Sequence, residues 1–434
     1  MSEANDAAPP TEGPRLSRRG LLGLAGAGVA GLALGVGGSA AAVAISGAQL
    51  LDPNEHPQNL RYELFGEHQA GIVTPAQDRL HFAAFDMADG STRADLISLL
   101  KDWSAAAAQL VRGEPIGSTG AVDGPDTLPP DDTGEAQGLG PAGLTLTFGF
   151  GPTLFVSNGV DRFGIASQQP PQLQPLPRFT GDALEPAYTG GDLCIQACAN
   201  DPQVAVHAIR NLTRIAFGRA VLRWSQLGFG RTSSTSTSQS TPRNLFGFKD
   251  GTANIKAEDP SQLAESVWVN GSDRPAWLTG GSYLVARRIR MTIETWDHSQ
   301  LGEQERVIGR SKGQGAPLSG GSEFSKVDPT ATDAAGNPLI NPRAHVALAL
   351  PQNNGGAAML RRGYNFVDGN DATGRLNAGL FFLAYVRSPE QFITVQKRLS
   401  ADLLNEYIKH VGSAIFAIPP GIARGSFVGA GLFS

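Results

Sequence analysis

Seven histidines are the whole supply of imidazole in this chain of 434 residues, and none forms HExxH or a paired spacing suited to structural zinc. Conventional zinc hydrolysis is therefore disfavoured. His56, His68, His81, His207, His298 and His410 sit in contexts that ordinary surface or core packing explains. His345 differs in context: it follows Asn341-Pro342-Arg343 and opens AHVALAL. That run reads as a rigid strand, able to hold an imidazole on a metal while its other ring nitrogen meets an acceptor. By the local pattern alone, a lone histidine at the start of an apolar strand is ordinarily structural.

Three further groups could act beside it. Asp250 lies in GFKDGTANI, where a Lys-Asp-Gly turn is the plain reading and a positioned acid–base group the chemical one. Arg361 and Arg362 are neighbours in AMLRRGYNF; on a strand they point to opposite faces, so one can enter a pocket while the other serves the surface or an anion. Arg310 in IGRSK could hold a carboxylate in a bidentate fork, or remain an exposed loop cation. Cys194 and Cys198 are the only cysteines. On one extended strand they stand roughly 13 Å apart at about 3.3 Å per residue, beyond disulfide reach, which makes buried free thiols the plain reading; a strand that ends early would allow a bridge. Two thiols cannot hold a four-thiolate iron–sulfur cluster, and no CxxCH is present for covalent haem.

The elements that must position these groups follow from periodicity. LHFAAF (80–85) reads as a strand, and Thr92 with Asp95 as a capping box before a helix carrying Leu96, Leu99, Leu100, Trp103, Ala107 and Leu110. A Gly/Pro/Asp-rich excursion spans 113–143; LTLTFGF and GGDLCIQACA are strands, and Asp201-Pro202 starts a second helix. RTSSTSTSQSTP reads as an exposed loop or connection between domains. Beyond it, SYLVARRIRMTI is a strand, TWDHSQLGEQERVIG a helix, and AHVALAL, AAMLRRGYNF and GLFFLAYV three strands. Leu399, Leu403, Leu404, Tyr407, Ile408 and Val411 line one face of a last helix. Two α+β domains result, each a sheet covered by helices, over 48–245 and 246–434.

Acidic residues number 40 against 35 basic ones, and no basic stripe interleaves with aromatics, which disfavours a nucleic-acid partner. Residues 1–47 are a different text. Ser17-Arg18-Arg19-Gly20-Leu21-Leu22 precedes an uncharged Gly/Ala/Leu/Val stretch and resembles a twin-arginine export signal, with a retained membrane anchor as the alternative. Export implies an extracellular, periplasmic or envelope-associated protein whose mature chain begins near residue 43 to 48.

Taken in order, GFKDGTANI with its GxxDG core, QERVIGRSKGQGAPL, AMLRRGYNF, GLFFLAYV and TVQKRLS resemble the dye-decolourising (DyP-type) haem peroxidases over nearly the whole mature chain. The resemblance extends to the exported branch that includes deferrochelatase/peroxidase proteins. It implies two ferredoxin-like domains with antiparallel sheets, and one non-covalent haem b held between the halves or chiefly by the second. His345 corresponds to the proximal iron ligand, Asp250 to the distal acid–base group and Arg361 to the distal arginine, with Arg362 as the one-residue alternative. Arg310 and Arg362 become candidate partners of haem carboxylates, and Leu380 and Phe382 apolar walls. HVALA stands where many relatives carry an HxRLA-like run, so Ala347 occupies a common arginine position. The implied activity is reduction of hydrogen peroxide with oxidation of dyes, phenolic compounds or other small aromatic donors. Because a carboxylate ordinarily stays ionised down to about pH 4, activity is expected to favour acid. Trp268, Trp277, Trp296, Tyr283, Tyr364 and Tyr385 are candidate electron stepping sites, although core packing accounts for each. Two other readings stand beside this one: release of iron from haem with the porphyrin intact, and a haem-binding partner of iron-uptake proteins with little turnover.

Overall fold

A computed structural model describes residues 57–273 and 275–434. The export segment and His56 lie outside the described residues. No helix among the described residues is long and apolar enough to cross a membrane.

The first half runs β1 (Arg79–Met87), α1 (Arg93–Leu110), β2 (Thr145–Phe150), β3 (Leu193–Ala199), α2 (Pro202–Ala216) and β4 (Ala220–Arg231). Thr92 and Asp95 exchange side-chain and backbone hydrogen bonds to start α1, whose Leu96, Leu99, Leu100, Trp103, Ala107 and Leu110 are buried. Asp201 accepts from the Gln203 and Val204 amides to start α2, with Pro202 in the first turn. The second half runs β5 (Ser282–Met291), α3 (Ile293–Asp297), α4 (Leu301–Ile308), α5 (His345–Ala349), β6 (Leu360–Arg361), β7 (Tyr364–Asn370), β8 (Leu376–Val386), α6 (Pro389–Arg398) and β9 (Ile408–Ile418).

Strand order repeats between halves: β2-β3-β1-β4 in the first and β7-β8-β5-β9 in the second, with β6 also on β8. Both are the antiparallel βαββαβ arrangement of a ferredoxin-like unit. Their edges meet through β4–β7, at Phe229↔Asn365 and Arg231↔Tyr364, and through β2–β9 at Phe150↔Ala417, while β5 pairs with β8. The sheet therefore closes on itself as a barrel. Phe82, Cys198, Tyr364, Phe381, Tyr385 and Phe416 pack inside it, whereas Leu99, Trp103, Phe148 and Leu212 fill the layer under the first half's helices. Cys194 and Cys198 are buried free thiols on β3.

Four expected elements differ. AHVALAL is not a strand: Asn341 Oδ1 accepts from the Arg343 amide, turning the chain so that the helix-favouring HVALA run forms α5. The last apolar stripe, Leu399 to Val411, is not one helix either. Asp402 caps a tight turn at Leu404, and the chain re-emerges as β9 against β5, where Ile408, Val411 and Ile415 suit an extended strand. RTSSTSTSQSTP is the third case, because Thr232 to Ser236 are buried. Their polar groups find partners that a sequence window cannot show: Thr235 Oγ1 donates to Thr74 O at 2.7 Å and the Thr232 amide to Gly363 O at 2.9 Å. The segment joins the halves from within. The helix expected at TWDHSQLGEQERVIG is split into α3 and α4.

His81 on β1 offers a test of this core. Burial pushes its pKa down to about 4, and its Nδ1 has no hydrogen-bond partner. The unfolded chain takes up that proton near the ordinary imidazole value of about 6.5, so stability is full above that pH. It is lost as pH falls toward 4, by on the order of 3 kcal/mol. His410, pushed down to about 4 as well, contributes in the same window. His81→Leu is expected to reduce the fall in melting temperature of the ligand-free protein between about pH 7 and about pH 4.5. An unchanged slope refutes the assignment.

Candidate functional site

One face of the second half-sheet, with the helices and loops above it, encloses a cavity of about 340 Å³. Ile289 and Met291 from β5, Leu380 and Phe382 from β8, and Ile408 from β9 form its apolar floor; Val346, Val395 and Leu399 come from the helical side. Size and lining are those of a small-molecule or cofactor site.

His345 enters this cavity from the first residue of α5 and keeps 36% of its side-chain surface accessible. Its Nδ1 lies 2.6 Å from Asp402 Oδ2, and the Asp402 side chain is only 2% exposed. The other Asp402 oxygen accepts from the Leu404 amide at 2.9 Å, so the carboxylate cannot swing away. Burial opposes charging of the ring. The charge and hydrogen bond of Asp402, with Asp250 adding to them, outweigh it and hold the imidazole pKa above its usual value. When Nδ1 donates to Asp402, Nε2 carries the lone pair, which is the tautomer a metal takes.

Asp250 and Arg361 line the same cavity. Arg361 Nη1 is 3.1 Å from Asp250 Oδ1, and Asn244 Nδ2 donates to Asp250 Oδ2 at 3.2 Å. The arginine's backbone is clamped on both sides by Asn254, which accepts from the Arg361 amide at 2.7 Å and donates to its carbonyl at 2.8 Å. A carboxylate able to take a proton thus stands beside a fixed cation in a cavity with an apolar floor.

Arg310, Leu380 and Phe382 join the same lining. Arg310 Nη1 donates to Gly315 O and Glu323 O, and burial lowers its pKa against the pull of Glu323. Arg362 does not belong. The expectation that it serves the surface or a haem carboxylate is corrected by its place inside the barrel end, fully buried and donating to Ile72 O, Thr74 O and Gln77 Oε1. Strand alternation sends it to the face opposite Arg361. Tyr364 and Tyr385 are also inside the barrel, where Tyr385 Oη donates to Gln196 Oε1 at 2.9 Å. Sequence reasoning missed Asp402, Asn244, Arg287 and His410. Asp402 is 57 positions from His345, and nothing local in RLSADLLNEY marks it as a histidine's partner.

Among the described residues no group of three or more His, Cys, Asp or Glu side chains is placed to hold a metal ion. A single anchored imidazole over an apolar floor fits an iron whose other ligands come with a planar macrocycle. The acid–guanidinium pair can move a proton and stabilise negative charge on a small oxygen ligand.

Comparison with known proteins agrees with this architecture. The model of the N-terminal part of Dyp-type peroxidases matches residues 69–230, and that of the C-terminal part residues 241–423. Deferrochelatase from Escherichia coli K12 is 38% identical over 371 residues, covering 84% of this chain and 85% of that protein. A DyP-type peroxidase from Streptomyces coelicolor is 40% identical with a TM-score of 0.79, covering 87% of this chain and 98% of that one. Ferric DtpA from Streptomyces lividans is 39% identical with a TM-score of 0.80, covering 88% and 100%. Shared fold, shared length and shared sequence together place this chain in the DyP-type peroxidase family of enzymes, which takes in the deferrochelatases.

Proposed function

We propose that the cavity binds one haem b non-covalently, with His345 as the iron ligand, and that the chain acts after export through the twin-arginine route. The observation that carries this reading is His345 held by Asp402 in the same apolar cavity as the Asp250–Arg361 pair. Bound haem would supply the iron at which an oxygen ligand is activated and the oxidising equivalents passed to a donor. The chain's residues do the rest. Asp250 takes a proton from hydrogen peroxide and hands it to the departing oxygen, Arg361 stabilises the negative charge that develops, and Leu380 and Phe382 keep bulk water away. Dyes, phenolic compounds or similar donors then supply electrons.

The curated relatives weigh toward a different outcome at the same site. Deferrochelatase is the name of relatives 38% identical over 84% of this chain, which favours removal of iron from haem over dye oxidation as the main role. The two readings share the cofactor site and part at the product. Incubation of the haem-loaded protein under reducing conditions is expected to yield free iron and intact protoporphyrin in equal amounts. Peroxide-driven donor turnover without metal-free porphyrin eliminates the iron-release reading.

Two sets of variants test the residue roles. In stopped-flow spectroscopy of the haem-loaded protein, Asp250→Asn and Arg361→Leu are each expected to slow the first peroxide-induced spectral change by about 100-fold or more. Parental rates in both would dismiss the distal assignment while leaving the fold untouched. Asp402→Asn, which keeps the shape but removes the charge, is expected to weaken haem retention about 10- to 100-fold and to shift the Soret band. Unaltered retention and spectrum would count against His345 as the ligand.

A further inference from the structure

Two of the cations lining the cavity are neutralised from outside it. Buried Asp182 pairs with Arg287, and Glu323 pairs with Lys249, the residue immediately before Asp250. Neither of these carboxylates belongs to the cavity lining. Glu323 stands behind the wall, on a loop 74 positions further along the chain than its lysine.

That loop is built to present it. The Ser322 amide donates to Ser325 Oγ at 2.9 Å and the Ser325 amide to Ser322 O at 3.0 Å, closing a tight turn. The two residues between diverge: Phe324 is 71% exposed, whereas the Glu323 side chain keeps 12% of its surface. Its carboxylate meets Lys249 Nζ, and Oε1 accepts from Thr252 Oγ1 at 3.3 Å. Its carbonyl accepts from Arg310 Nη1 at 2.9 Å. Burial opposes charge on this carboxyl, but hydrogen bonds from Lys249, Thr241 and Thr252, with the charge of Lys249, outweigh it and hold the pKa below its usual value. The Lys249 stem is led outward over Gly315, where a β-carbon would lie 2.9 Å from Lys249 Cδ.

One carboxylate thus ties down the residue before Asp250 and the second residue after it. The backbone of Asp250 is fixed as well. Its amide donates to Pro242 O at 3.0 Å, and Gly251 lies so close to Ser233 that a β-carbon would stand 2.8 Å from its Cα. What Glu323 adds is control of charge. Lysine carries its ammonium on a flexible stem, and one released next to Asp250 would compete with Arg361 for the carboxylate. A carboxylate shared by two cations is a weaker base.

We infer that Glu323 is a positioning residue for Asp250: by holding Lys249 behind the cavity wall, it leaves Arg361 as the cation on that carboxylate. The inference rests on the reading of Asp250 as the group that moves the proton, and adds to it how the acid is kept from a second cation.

Acylation of Lys249, followed by mass spectrometry, tests the charge competition without haem. With acetic anhydride on the full chain, Lys249 is expected to react slowly in the parent, in Asp250→Asn and in Glu323→Gln. It should react about 10-fold faster only when both substitutions are combined, because either carboxylate can hold the ammonium. Fast acylation in Glu323→Gln alone overturns the inference. In the haem-loaded protein, Glu323→Gln is expected to slow the first peroxide-induced spectral change about 10-fold, and adding Lys249→Met to restore it to within about 3-fold of the parent. Damage to the loop would not be repaired by a second truncation, so a slow double variant overturns the inference whether or not Glu323→Gln folds. A parental rate in Glu323→Gln, with Asp250→Asn slow, overturns it alone. A parental rate in Asp250→Asn overturns the proton-carrier reading and this inference with it.

Discussion

Closing the two half-sheets on each other gives every strand one face inside the barrel and one face outside, and this division governs everything else. Side chains alternate with period two, so each residue is assigned to the inner core or the outer layer by its parity along the strand. Leu360, Arg362, Tyr364 and Phe366 fall inside, and Arg361 outside, facing the cavity. A one-residue slip of β6 against β8 would exchange the arginines and place the cavity's cation among the barrel's phenols. The register Leu360↔Tyr385 and Arg361↔Ala384, reinforced by the Asn254 clamp, holds that assignment. Arg362 in turn ties the second half to carbonyls of the 72–77 segment, so its structural role and the placement of Arg361 arise from the same pairing.

Once the faces are fixed, the cavity needs little more than loops delivering charge to an apolar floor. Asp250 and Asn244 come from the segment between the halves, His345 from a helix of five residues and Asp402 from the turn before β9. None sits deep within a regular element, yet each is held by at least one backbone hydrogen bond or side-chain partner. Asp402 has the most demanding position. It accepts from a backbone amide and from an imidazole while almost wholly buried, which orients His345 and adds negative charge to its ring.

Local pattern made the fold class legible, together with most strands and the starts of α1 and α2, because alternation, helical spacing and capping act over a few residues. It failed where a distant partner decided the outcome. Thr232 to Ser236 looked soluble, and only carbonyls distant in the sequence, those of Thr74 and Gly363, make their burial favourable. Leu399 to Val411 had helical spacing, but the vacant edge of β5 claims Ile408 onward as a strand. Within the site, Asp250, Arg361 and His345 were found through motif order, since each alone has an ordinary local explanation. Asp402, Asn244, Arg287 and His410 belong to no such motif and are defined only by what they face.

The two readings of the activity place opposite demands on these residues. Donor oxidation is best served when the iron stays where it is, and the 2.6 Å contact between His345 and Asp402 would support retention, because it makes the imidazole a stronger base for a metal. Iron release requires that bond to yield and requires protons for the macrocycle nitrogens that lose the metal. Asp250 faces the cavity with Arg361 beside it and can relay protons in either case. On the iron-release reading, the apolar floor of Ile289, Met291, Leu380, Phe382 and Ile408 would matter as much as the imidazole, because a surface that binds the faces of the macrocycle and not the metal would let the ring stay bound when the iron leaves.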